Sequence, residues 1–326
     1  MTLKNTKIIA AALSLGLVLT ACGNNNAENT AEEPAATETT DTAETTEETA
    51  DEAKDKEEET DTANVEDHDI DVVSREDGSG TRGAFTELVG LKVKNDDGSE
   101  EDQTTDNADF QNSTNGVMTT VAQDPFAIGY ISLGSLNDTV KPVKIDGVEA
   151  TEENIESGDY KIARPFNLAY KEEDLDEVSK DFLAFALSKE AQDIVLEEGY
   201  VPLKETEEYK AAEGLSGTIT VAGSTSVTPL MEKIKEAYEQ LNPDVTIEIQ
   251  SNGSSAGIEA VRGGAANIAM ASRELDDEEK KDLTPEVIAT DGIAVIVNKE
   301  SKIEDLTVEQ LRQIFAAEIT NTGELN

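Results

Sequence analysis

Three times in this chain a short apolar run ends in glycines and small hydroxyl residues, and a fourth ends in a serine and an arginine. The runs are V-V-S-R-E-D-G-S-G-T-R from Val72, T-V-A-G-S-T-S-V-T-P from Thr220, E-I-Q-S-N-G-S-S-A-G from Glu248 and M-A-S-R-E-L from Met270. In the first three a helix pattern follows, so each junction exposes unpaired backbone N–H groups at a helix start. Taken singly, each such turn reads as an ordinary helix cap. Together, at strand ends of an alternating pattern, they read as sockets for one anion. In the first, Gly78 and Gly80 permit close backbone approach, Ser79 and Thr81 offer hydroxyls, and Arg75 supplies a planar charged fork. Gly223, Ser224, Thr225 and Ser226 occupy the second turn, with Pro229 suited to the next helix's first turn. Ser254 and Ser255 are placed to cap a helix in the third, and Ser272 and Arg273 lie in the fourth.

The alternation constrains the fold class. Strands are expected at Ile70–Val73, Ala127–Ser132, Thr218–Ala222, Val245–Ile249, Ile268–Ala271 and Ile293–Asn298. Helices are expected at Thr81–Val89, Leu175–Glu198, Pro229–Leu241 and Ala256–Arg262. Helices between short apolar strands imply α/β architecture with parallel pairing and a ligand at the carboxyl ends of strands. About 260 residues follow the first 67, room for two lobes. No internal repeat of fixed period is visible.

The chain of 326 residues carries 71 acidic against 26 basic side chains, a net charge of -45. Such a field argues against nucleic acid or an anionic membrane surface as a partner, so an anion must be held by local donors. Lys4 and Lys7 precede an apolar run from Ile8 to Leu19, and L-T-A-C places Cys22 like the lipidated cysteine of a bacterial lipobox. Residues 1–22 are therefore expected to be a lipoprotein signal peptide. Residues 23–67, rich in Thr, Ala, Glu and Asp, are expected to be a disordered acidic tether spanning roughly 35 to 40 Å. Cys22 is the single cysteine and His68 the single histidine, which leaves no disulfide, no Ser-His-Asp triad and no histidine metal site. A P-loop is absent from the sequence, and no pair among so many carboxylates stands out as acid and base. The expectation is a protein that is not an enzyme and uses no cofactor or metal. Tyr130, Phe126 and Phe166 are expected in core or hinge packing.

The segments V-A-G-S-T-S-V-T-P, S-N-G-S-S-A-G, A-S-R-E-L, D-G-I-A-V-I-V-N, L-R-Q-I-F-A-A-E-I-T-N, V-V-S-R-E-D-G-S-G-T-R and A-I-G-Y-I-S-L resemble the phosphate-binding lipoproteins that feed the Pst-type ABC importer. The resemblance implies a two-lobed type II periplasmic-binding-protein fold with phosphate in the interlobe cleft. It implies phosphate binding by Arg75, Ser79, Gly80, Thr81, Thr225, Ser226, Ser254 and Ser272, with Asp77 orienting the arginine. Some relatives use an aspartate where this chain has Ser272, so Asp291 is a candidate substitute acceptor, its alternative being a solvated turn residue. The motifs run in a different order from the usual member, which implies a circular permutant whose old termini are joined near Leu203 to Gly217. A truncated tandem is the alternative. One lobe would then comprise residues 67–160 plus 291–326 and the other residues 161–290. Implied partners are inorganic phosphate, ABC permease membrane subunits and, through a lipid anchor, the membrane. The implied setting is the extracytoplasmic face of a bacterial cell membrane, with the protein a monomer. A surface sensor or adhesin keeping the same fold, or a binder of another oxyanion such as sulfate, stays open.

Overall fold

A computed structural model describes residues 67–95 and 99–325. The expected leader, Cys22 and tether up to residue 66 lie outside the described residues. The chain enters through β1 (Asp71–Arg75), α1 (Gly80–Leu88), the paired β2 (Lys92–Lys94) and β3 (Glu100–Asp102), β4 (Asp109–Gln111), α2 (Thr114–Gln123) and β5 (Ala127–Ser132). Short β6 (Lys141–Pro142), β7 (Lys144–Ile145) and α3 (Glu152–Ser157) follow. Next come β8 (Ala163–Tyr170), α4 (Glu177–Ala186), α5 (Lys189–Glu197), β9 (Gly217–Gly223), α6 (Thr228–Leu241), β10 (Val245–Ser251), α7 (Ser254–Arg262) and β11 (Ile268–Ala271). The long β12 (Thr284–Val297), β13 (Asp305–Leu306) and α8 (Val308–Phe315) complete the order.

The main sheet runs β10-β9-β11-β8-β12-β5-β1-β4, with β6 added on β12. Parallel pairing holds for β10, β9 and β11 and for β5, β1 and β4, as the alternation implies. Between these groups β8 and β12 run antiparallel to their neighbours, which the sequence pattern did not suggest. β12 joins the two halves of the sheet: Thr284 to Gly292 pairs with β8, and Ile293 to Val297 pairs with β5. It begins nine residues before the expected strand, because T-P-E-V carries a proline and polar residues that hide its extended character. The expected helix Leu175–Glu198 is two helices, since Ser188 caps α5 by accepting from the Ala191 N–H at 3.4 Å.

Of the four apolar clusters that cover the sheet, two are built on aromatic rings. Phe166, Phe182, Phe185 and Tyr238 anchor one, between α4, α5, α6 and the β8–β11 half. Phe85, Tyr130 and Phe315 anchor the other, with Phe85 stacked on Tyr130 at 3.9 Å and edge-on to Phe315 at 4.8 Å. This second core joins distant parts of the chain. Ile70 N–H donates to the Thr320 carbonyl at 2.8 Å, and Thr322 N–H to His68 at 3.0 Å, so the first and last described segments lie side by side. The segment 203–216 is tied to the first core, where Asp181 accepts from Tyr209 at 2.5 Å and from Tyr238 at 2.8 Å. Tyr130 and Phe166 are core residues as expected, whereas Phe126 is 46% exposed and rests on the His68 ring at 4.4 Å. It lies in the turn before β5, whose six residues take the buried positions.

Phe315→Ala should lower unfolding free energy by about 3 to 5 kcal/mol, because it empties the aromatic centre of this core. Urea denaturation measures it; a change below about 1 kcal/mol would contradict the role assigned to α8.

Candidate anion site

The turns before α1, α2, α6 and α7 face one another across the join between the sheet halves. Thr81 Oγ1 lies 2.8 Å from Ser226 Oγ, and Thr114 Oγ1 lies 3.1 Å from Ser226 Oγ and 3.4 Å from Thr225 Oγ1. Ser224 Oγ donates to Ser272 Oγ at 2.9 Å, while Ser254 Oγ accepts from the Ser272 N–H at 3.2 Å. Thr81, Ser224, Ser226, Ser254, Ser272 and Thr114 are all buried. Close approach depends on Gly80, where a Cβ would sit 2.3 Å from Ser254 Oγ and 2.7 Å from Ser272 Oγ. Backbone also bridges the halves: Ser255 N–H donates to the Gly78 carbonyl at 3.1 Å. A polar cavity of about 290 Å³ lies beside Thr114 and Thr225, lined also by Asn112, Ser135 and Ser251.

Arg75 reaches into this cluster from the end of β1. It is 2% exposed and donates through Nη2 to Thr225 Oγ1 at 3.1 Å. Its fork is held by Glu76, whose two oxygens accept from Nε and Nη2 at 2.8 Å each, and by the Gln111 carbonyl at 3.2 Å. Asp77, expected to orient this arginine, instead points outward and accepts from Arg82 at 2.7 Å. One position decides the matter: Asp77 stands in the turn itself, while Glu76 still follows the strand.

Two hydroxyls take other roles. Ser79 caps α1 by accepting from the Arg82 N–H at 3.3 Å. Ser254 does not cap α7; Gly253, with φ 98°, occupies that position, which frees the Ser254 hydroxyl for Ser272. Thr114 and Ser224 join the cluster without having been singled out as contacts. For Thr114 the signal was present in Q-N-S-T-N-G, where Ser113 caps α2 by accepting from Gly116 N–H at 3.1 Å.

Asp291, considered either as an acceptor or as a solvated turn residue, is neither exposed nor aimed at the hydroxyls. It is 1% exposed and pairs with buried Arg164 at 3.0 Å, while Ser132 Oγ donates to its other oxygen at 2.9 Å. Burial pushes its carboxyl up to about 6, against the opposing pull of Arg164 and Ser132. Arg164, unremarked in the sequence, also donates to the Ser272 carbonyl at 3.0 Å. Among the described residues no group of histidine, cysteine and carboxylate side chains is arranged to hold a metal ion.

Helix starts carry a positive end of about half a charge each, and Arg75 adds a full positive charge to the cluster. Such a cluster where two sheet halves share a crossing strand defines an α/β protein of the periplasmic-binding-protein class. A family model described as a PBP superfamily domain matches residues 59–190 and 210–321. The chain is 52% identical over 256 residues to a protein of Streptococcus agalactiae named phosphate-binding protein PstS 2, covering 78% of this chain and 87% of that one. Its namesake from Streptococcus pneumoniae is 48% identical over 250 residues, covering 76% of this chain and 85% of the other. A crystal structure of a phosphate-binding protein of a phosphate ABC transporter from Streptococcus pneumoniae superposes with TM-score 0.64 at 46% identity, covering 79% of this chain and all of that one. The chain belongs to the PstS family of phosphate-binding proteins within the PBP superfamily.

The Asp291 carboxyl should titrate with a midpoint near 6, which carboxyl-carbon NMR can follow; a midpoint below 4 would contradict its burial. Since the folded value lies above the unfolded one of about 3.9, this group favours folding most below that pH. Its contribution declines as pH rises through 6.

Proposed function

We propose that this chain captures inorganic phosphate between two lobes and hands it to the membrane subunits of an ABC permease. The observation that carries this reading is the convergence of four helix starts, Arg75 and buried hydroxyls on one point. The ligand contacts we assign are Arg75, Gly80, Thr81, Thr225, Ser226, Ser254 and Ser272, with Ser79 contributing through the turn it caps. Thr114 is added to that set. Its relatives are named for phosphate binding and one belongs to a phosphate ABC transporter, which supports both ligand and partner. As a binding protein the chain is not an enzyme.

We take residues 67–160 plus 291–326 as one lobe and 161–290 as the other, hinged at β12. The hydrogen-bonded segments at Ile70 and Thr320, together with the order of the motifs, support a circular permutation of the usual family arrangement. The leader pattern ending at Cys22 supports a lipid-anchored monomer on the extracytoplasmic face of the membrane. Among the described residues no helix is long and apolar enough to cross a membrane.

Calorimetry on the full chain should give a phosphate Kd of about micromolar or tighter, with compaction by small-angle scattering. Arg75→Ala should weaken binding by about 100-fold or more, since two charge-assisted bonds are lost at about 1.5 to 3 kcal/mol each. Near-normal affinity would exclude Arg75 from the site.

Selectivity gives a separate test. The proton of monohydrogen phosphate needs an acceptor, and a serine hydroxyl can accept where sulfate offers no proton. Ser272→Ala should narrow the preference for phosphate over sulfate by about tenfold. An unchanged ratio of the two affinities would remove Ser272 as that acceptor.

A further inference from the structure

At the crossing strand the structure holds a buried charged relay whose members, Ser272 aside, are not among the assigned anion contacts. Ser132 Oγ, at the end of β5, donates to Asp291 Oδ1 at 2.9 Å. Asp291 Oδ2 accepts from Arg164 Nε at 3.2 Å and Nη2 at 3.0 Å, and Arg164 Nη1 donates to the Ser272 carbonyl at 3.0 Å. The relay thus starts in one half of the sheet, passes through β12 and β8, and ends on the turn after β11. All four residues are 3% exposed or less. Burying an ion pair commonly gains little stability over well-packed apolar residues, so its geometry calls for another use.

That use follows from where the relay ends. The Ser272 hydroxyl and N–H both belong to the anion cluster, and its carbonyl is fixed by Arg164. We propose that Asp291 is a positioning residue for anion capture, holding Arg164 so that the Ser272 turn takes its binding place only when both halves of the sheet are in register. This inference rests on the phosphate-binding reading above.

The groups facing Asp291 are Arg164 from β8, Ser132 and the Leu133 backbone after β5, Tyr160 after α3 and Tyr200 after α5. Tyr160 adds a further clamp by donating to the Ile293 carbonyl at 2.8 Å. Protonation of Asp291 removes the charge that keeps Arg164 in place, so the relay weakens as pH falls through about 6.

The decisive experiment measures phosphate affinity calorimetrically for the full chain as wild type, Asp291→Asn, Ser272→Ala and the double variant, with urea unfolding without phosphate as control. Asp291→Asn is expected to weaken binding about 10-fold to 100-fold. Because it acts through the Ser272 turn, adding it to Ser272→Ala should cost much less than it costs alone. Losses that multiply in full, or an Asp291→Asn affinity within about twofold of wild type, would overturn the proposal. The ratio of wild-type to Asp291→Asn affinity, in which phosphate's own ionisation cancels, should shrink below about pH 6 and would contradict the relay if flat. If Asp291→Asn does not fold, Ser132→Ala decides, since it leaves the ion pair intact: a loss of about threefold to tenfold is expected, and unchanged affinity overturns the proposal. Wild type that binds no phosphate overturns both readings; wild type that binds alongside an unaffected Asp291→Asn overturns this one alone.

Discussion

Bringing several helix starts and an arginine to one point is electrostatically unfavourable unless something negative lies among them. Each start carries the positive end of a helix, and Arg75 is buried beside them. Glu76 answers part of this charge through a two-pronged pair with Arg75. The remainder is met by hydroxyls that lie within bonding distance of one another across the join. An oxyanion can replace those mutual contacts with stronger charge-assisted ones, so the register of the two halves and the identity of the ligand are one problem.

The strong net negative charge sharpens that problem. A chain with a net charge of -45 repels phosphate at range, although physiological salt screens the repulsion beyond roughly 8 Å. Selectivity and affinity must therefore be built at contact distance. Gly80 is the clearest expression of this, since a single added carbon there would collide with hydroxyls from two other turns.

Much of this was legible in the chain because helix starts and strand ends leave local signatures. The turns at Gly78, Gly223 and Gly253 could be found from residue type alone, and Tyr130 from its apolar surroundings. What stayed hidden depended on side-chain direction or on distant partners. Glu76 and Asp77 are adjacent carboxylates, and only the path of the backbone decides which meets Arg75. Arg164 sits beside a proline in a strand whose mixed residues show no clear alternation, so nothing local marked it as a partner of Asp291 or Ser272. Thr114 differs: a cap signal precedes its helix, but the helix follows a polar stretch and not an apolar strand.

The seam between Ile70 and Thr320 has a consequence for how the protein is made. β1 is synthesised early, yet Phe85 above it finds its partner Phe315 some 230 residues later. The segments from β8 to β11 are contiguous and rest on local contacts, whereas the half holding Arg75 needs α8 from far along the chain. Until α8 is present, Phe85 and Tyr130 lack the ring that packs against both of them, so α8 is the element that closes this core.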